Sequence, residues 1–143
     1  MRKNKIPIGK VQEAFNAAIK RRDGRCMIKD CEPCGGGLEC SHFYTMGRTP
    51  SLRFYPPNAY AQCQRHHWKH HHSLEWAKAW NKFSFYAKWM DENHWAECAD
   101  MEALRHCYIN YDDELKAEII RLCNADRLDE LKELIEENCK EGL

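Results

Sequence analysis

After Pro57 the chain has no proline and no glycine until Gly142, although its 143 residues carry five and seven of them. That stretch lacks the turn formers that short strands need about every 8–12 residues, which excludes an all-β sandwich or barrel there. Long apolar runs are missing too. Nothing approaches the roughly 18 residues of a membrane span, and the basic start Met1-Arg2-Lys3-Asn4-Lys5 is followed by no apolar leader core, so a cytosolic protein with no membrane partner is expected. Net charge is absent as well: 22 Lys/Arg balance 22 Asp/Glu, which excludes a uniformly basic polyanion binder.

The balance is uneven along the chain. Residues 1–72 carry thirteen Lys/Arg against five Asp/Glu, and the remainder nine against seventeen. A basic first half fits either a local surface for a polyanion or attraction between two lobes, and charge alone does not choose between them. The 43% of hydrophobic residues, aromatics among them, is enough for a real core. Two units are expected: a basic domain over residues 1–72, and an acidic helical lobe over residues 73–143.

In residues 10–22 the spacing of Val11, Phe15, Ala18 and Ile19 predicts a helix, which Asp23-Gly24 ends. Pro33, the glycines at 35–37, Gly47, Pro50 and Pro56-Pro57 then permit only turns and short strands, one of them across residues 38–44. From about Ala59 the pattern turns helical, with Trp76, Trp80, Phe83 and Tyr86 on one stripe that suits a core or a subunit interface. Asn or Asp near 93, 110–113 and 124–126 break the helices, and cap segments such as 114–123 and 128–140. There is no internal repeat, and no biased tract except the histidines.

Nine cysteines without an export signal argue for metal binding rather than a disulfide framework. Cys98, Cys107, Cys123 and Cys139 are scattered through helical sequence and read as core or surface thiols. The others lie among the histidines. Cys31-x-x-Cys34 followed by Gly35 makes a zinc knuckle, because the glycine permits the sharp reversal that brings two thiolates together. Cys63-x-x-His66 makes the second knuckle. Cys26 is the alternative thiol for the first pair, and the expected ligand set is Cys31, Cys34, Cys63 and His66 around a structural Zn²⁺.

A second constellation surrounds this staple. His42, at the end of a strand, suits a general base, since a neutral imidazole titrates near working pH. Asn58 would orient it through its side-chain carbonyl. His67 and His71, four apart on a helix, share a face and can both ligate a hard cation, with His70 as the alternative partner at three apart. Arg48, Arg53 and Arg65 offer the positive charge that holds a phosphate backbone.

Residues 21–72 resemble the NinG family of phage recombination nucleases, within the wider HNH or ββα-metal group. The resemblance lies in Cys31-x-x-Cys34-Gly35, in His42-Phe43, and in the string from Pro50 through Leu52, Arg53, Phe54, Asn58 and Gln62 to Cys63. It implies an α+β fold in which a zinc-stapled ββα-metal core follows an N-terminal helix and precedes a C-terminal helical lobe. It further implies Mg²⁺- or Mn²⁺-dependent hydrolysis of DNA, on branched recombination intermediates such as Holliday junctions or flaps, in a phage or prophage setting inside the bacterial cytoplasm. In such enzymes a metal ligand precedes the base, where this chain has Ser41. The family's acid three residues before the histidine is matched by Glu39, which is nominated for the cation with His67 and His71. A symmetric junction suits a homodimer, joined through the acidic helices between Leu115 and Leu134.

Two other readings compete. A zinc module that binds nucleic acid or protein without catalysis needs neither His42 nor His67. A transition-metal sensor would use His67, His70 and His71 and leave DNA intact.

Overall fold

The computed structural model describes residues 5–72 and 84–140. Within them the chain is mixed α and β, with five helices around one two-stranded antiparallel sheet. The order is α1 (Ile8–Asp23), β1 (Leu38–His42), β2 (Ala59–Cys63), α2 (Gln64–His72), α3 (Phe85–Leu104), α4 (Asp113–Asn124) and α5 (Leu128–Asn138). Short 3₁₀ turns, Pro50–Leu52 and Pro56–Asn58, break the long loop between the strands.

Helix α1 forms where its apolar spacing predicts, and it buries Val11, Phe15, Ala18 and Ile19 completely. Gly24, in the left-handed region with φ 68°, closes it by donating its N–H to Lys20 O, a conformation that costs a side-chain-bearing residue more. The buried face packs against the hairpin on one side and α4 on the other.

Strand β1 pairs with β2 from Leu38 opposite Cys63 to His42 opposite Ala59. The helical pattern expected from Ala59 onward begins only at Gln64. All five residues of β2 are buried, so the strand shows no alternation of apolar and polar residues by which sequence could reveal it. Its outer edge is paired as well. Met27 N donates to Ala61 O at 2.8 Å, Gln62 Nε2 to Ile28 O at 2.8 Å, and Ala61 N to Asp23 Oδ2 at 2.7 Å. The segment after α1 is thereby laid along β2.

Helices α4 and α5 match the segments expected for them to within a residue or two. Asp112 caps α4 by accepting from Leu115 N at 2.8 Å, and Asp126, with φ 55°, turns the chain into α5. Their apolar stripes, where the sequence reading seats a homodimer, face inward: Ile119, Leu131 and Ile135 are fully buried, and Leu115 and Leu122 nearly so. One continuous core joins residues of α1 and the hairpin with those of α3, α4 and α5. Arg21 ties the two halves at the surface, donating to Asp126 and to Cys123 O. Helix α3, capped by Ser84, is kinked at His94, beside the break expected near Asn93. Of the aromatic stripe, Tyr86 is fully buried, and Trp76, Trp80 and Phe83 lie outside the described residues. No helix among the described residues is long and apolar enough to cross a membrane.

Candidate metal centre and neighbouring histidine site

Cys26, Cys34, Cys63 and His66 bring one ligand atom each to within 4.8 Å of one another. A tetrahedral zinc site has edges of about 3.5–3.8 Å, so small adjustments of the four side chains close this group around the ion. Cys63 Sγ is already 3.0 Å from His66 Nδ1, and Cys26 Sγ 3.9 Å. Three thiols and an imidazole are a fitting donor set for structural zinc.

Cys31, expected in the set, is exposed and outside it, and Cys26 takes its place. The reason is the pairing of residues 27 and 28 with β2, which carries Cys26 alongside Cys63. A tertiary strand contact, not knuckle spacing, selects the fourth ligand. The second half of the expected motif keeps its role. The loop 35–37 folds over the start of α2 by two backbone bonds, Arg65 N to Gly35 O and Gln64 N to Gly37 O, each 3.0 Å. Gly36 between them has φ 77°, and a Cβ there would lie 2.2 Å from Gln64 Oε1, so no other residue fits without displacing Gln64.

The two buried thiols are unequal. Burial would raise Cys63, but N–H donors of His66 and Gly35 and the side chains of His66 and Cys26 hold it at about 6, below the usual thiol value. Cys26 is pushed the other way, chiefly by desolvation and by the neighbouring Cys63. Of the two, Cys63 is the thiol whose surroundings favour the thiolate that a metal needs.

Asp30, which sequence reasoning missed, orients the histidine ligand. His66 Nε2 is 2.9 Å from Asp30 Oδ1, and a carboxylate can only accept, so the proton sits on Nε2 and Nδ1 turns its lone pair to the thiols. Lys69, one turn along α2, donates to the other oxygen of Asp30 and reaches Glu32 Oε2 at 2.9 Å. The Lys69 hydrogen bond holds the Asp30 carboxyl well below the usual carboxylate range. The only sequence signal was an acidic residue just before the first knuckle. Cys123 is buried, Cys98, Cys107 and Cys139 are half-buried, and among the described residues none joins a metal-binding group.

On a neighbouring face of α2, His67 and His71 come together as their spacing predicts, with Nε2 atoms 3.0 Å apart. Glu39 Oε1 lies 3.1 Å from His67 Nδ1. The acid thus meets the nitrogen turned away from His71, so it supports His67 rather than sharing a cation with the pair. Two nitrogens about 2.1 Å from one six-coordinate ion, at a right angle, stand about 3.0 Å apart, so the histidine pair fits such an ion. His70, the alternative partner, is buried between the rings of Tyr86, on which it packs edge-on, and His71.

His42 ends β1, half-buried, with its ring against Phe15 at 5.8 Å. Its Nε2 is 2.9 Å from Arg53 O. A carbonyl only accepts, so Nε2 carries the proton and Nδ1 keeps its lone pair. Desolvation lowers its pKa to about 4, and the nearby His67 pushes the same way. Asn58 does not orient it. The Asn58 side chain is fully buried, accepts from Tyr44 N at 2.8 Å and donates to Tyr44 O and Leu52 O at 3.0 and 3.1 Å. It fastens the loop that presents Arg53 O, and so reaches His42 only through the backbone.

Ser41, on the same face of β1 as Glu39 by strand alternation, is fully buried with its Oγ unpartnered, while its carbonyl accepts from Tyr86 OH at 2.8 Å. The three arginines are dispersed. Arg53 is half-buried and its Nε donates to Gln12 Oε1 at 2.8 Å, Arg65 pairs with Glu32 at 3.2 Å, and Arg48 is exposed on the loop after β1. Comparison of the chain with family models, with curated proteins and with solved structures finds no match.

Proposed function

We propose that the chain is a metal-dependent DNA endonuclease of the HNH or ββα-metal type, similar to the NinG nucleases, acting on branched recombination DNA. The observation that carries this reading is the pair of Nε2 atoms of His67 and His71, braced by Glu39, on the helix that follows the His42 hairpin. A non-catalytic zinc domain has no use for that pair.

His42 Nδ1 would take the proton of the attacking water, since the ring is neutral at working pH and its tautomer is set by Arg53 O. His67 and His71 would hold Mg²⁺ or Mn²⁺, which when bound supplies charge stabilisation at the scissile phosphate and leaving oxygen. Glu39 keeps the His67 proton on Nδ1, so that Nε2 faces outward as a ligand. Asn58 secures the loop under His42, and Arg48, Arg53 and Arg65 supply positive charge for the backbone. Zinc in the Cys26, Cys34, Cys63 and His66 group would fix the start of α2.

The experiment follows cleavage of labelled four-way, flap and linear DNA on a denaturing gel, in zinc-replete buffer with or without Mg²⁺ or Mn²⁺, for wild type and His42→Ala. Cation-dependent cutting that the substitution abolishes is the expected result. Binding without cutting under every condition would instead support the zinc module, the reading favoured by one observation: a buried serine stands where such nucleases carry a ligand.

A further inference from the structure

A cleft of about 440 Å³ opens between the loop after β1 and the C-terminal end of α3, lined by Tyr44, Thr45, Arg48, Thr49, Arg105 and His106. Its lining is hydroxyls, one imidazole and two guanidinium groups, and the lining itself contains no carboxylate. The cations come from elements more than fifty residues apart, so no local periodicity produces them.

Both walls are fixed. Tyr44 is clamped through its backbone by Asn58, and its hydroxyl donates to Glu102 Oε2 on α3 at 3.0 Å. Ser51 Oγ donates to Leu104 O at 2.8 Å, and Tyr111 OH to Pro50 O at 2.6 Å, so the loop is stitched to the helix end and to the segment beyond it. Thr49 N and Oγ1 both donate to Thr45 O, which closes the turn that carries Arg48. Arg105 is steered by two contacts: its guanidinium lies 5.5 Å from the Tyr44 ring centre, and Nη1 is 3.3 Å from Glu102 Oε2. Its Nε donates to His106 Nε2 at 3.2 Å, so the neutral His106 carries its proton on Nδ1 as a further donor. Glu102, the nearby acid, is engaged by Tyr44 and Arg105 together.

Preset N–H donors in a cleft whose lining holds two guanidinium groups and no carboxylate suit an oxyanion, and a guanidinium fork matches phosphate oxygens. The cleft also begins two residues beyond His42, within about 7 Å along the chain. We propose that it binds a backbone phosphate of DNA next to the one cut at His42, with Arg105 and His106 as the main donors. This makes the acidic half of the chain part of the DNA footprint, and it rests on the nuclease reading for the identity of the polyanion.

The test measures DNA binding by fluorescence anisotropy against salt, in zinc-replete buffer without added Mg²⁺ or Mn²⁺, for wild type, Arg105→Gln, Arg105→Lys and Arg48→Gln, with amide NMR shifts on addition of inorganic phosphate. Loss of one phosphate contact lowers the slope of log K against log salt by about 1 in Arg105→Gln, while Arg105→Lys keeps it. Phosphate should shift the amides of Thr45, Arg48 and His106, and DNA should displace it. Should Arg105→Gln fail to fold, Arg48→Gln and the wild-type phosphate titration carry the test. An unchanged slope in folded variants, or phosphate that DNA does not displace, overturns the proposal. Cutting by wild type with an unchanged slope removes the cleft alone. A changed slope with no cutting under any cation removes the nuclease reading and leaves the cleft standing.

Discussion

His66 and His67 are adjacent on α2 yet serve different groups, because successive side chains of a helix diverge by about 100°. His66 turns inward to three cysteines, and His67 turns to Glu39 and His71. The first three expectations below depend on that division.

The zinc group is expected to need Cys26 and not Cys31. Cys26→Ser should lower bound zinc below one equivalent and unfold the chain at a lower urea concentration, whereas Cys31→Ser should keep one zinc and stay within about 0.5 kcal/mol of wild type. Metal analysis of the purified variants, paired with urea titration, decides this. The reverse ranking would restore the knuckle expected from spacing.

Asp30→Asn should retain all four ligands and yet hold zinc about 10–100-fold less tightly, because the amide no longer draws the His66 proton onto Nε2 with a full charge. Competition against a chromophoric chelator reads the affinity. Equal affinity would mean that Asp30 only pairs with Lys69.

Glu39→Gln and His71→Ala should separate support from ligation. His71→Ala removes a cation ligand and should raise the Mn²⁺ concentration needed for half-maximal cutting by an order of magnitude or more, as judged from loss of a direct ligand. Glu39→Gln should act less, about 10-fold, and saturate with more Mn²⁺. Identical behaviour of the two variants would place Glu39 in the coordination sphere instead.

Acid should weaken the fold through His42. Its native pKa of about 4 lies below the usual 6.5, so the unfolded chain binds the proton first as pH falls. The contribution is intact above pH 6.5 and is lost progressively toward pH 4. Protons also compete with zinc for its ligands as pH falls, so the measurement is the difference in urea midpoint between wild type and His42→Asn from pH 7 to 4, with the ring proton of His42 followed by NMR. Wild type should lose more than the variant. Equal losses, or a His42 midpoint near 6.5, would contradict its burial.

Asn58→Ala should cost about 3 kcal/mol, since it strips partners from Tyr44 N, Tyr44 O and Leu52 O in a buried loop. Urea unfolding measures it. A cost near zero would show that water replaces the amide freely.

Much of this was legible in the chain. Helix α1, the cap at Asp112, the Gly35–Gly37 turn and the i, i+4 pair His67 and His71 all follow from local spacing, and local chemistry makes them. What sequence concealed depends on contacts across the fold. Strand β2 is buried throughout and carries alanines and a glutamine in place of an alternating pattern. Cys26 displaces Cys31 only because residues 27 and 28 pair with β2. Asn58 reads as a turn residue or an orienting carbonyl, and only the closed loop shows that its amide holds Tyr44 and Leu52. The apolar stripes of α4 and α5 advertise an interface, and within the chain α4 packs on α1 while α5 packs on α4 and on the turn Pro56–Asn58.

The adjacency of His66 and His67 sets a rule for how α2 can change over time. Exchanging one side chain alters one group and leaves the other in register. Inserting a single residue between them would turn everything downstream by about 100° and misplace His67, His70 and His71 together. Helix α2 can therefore drift by substitution, but its length between the cysteine loop and the last histidine is locked.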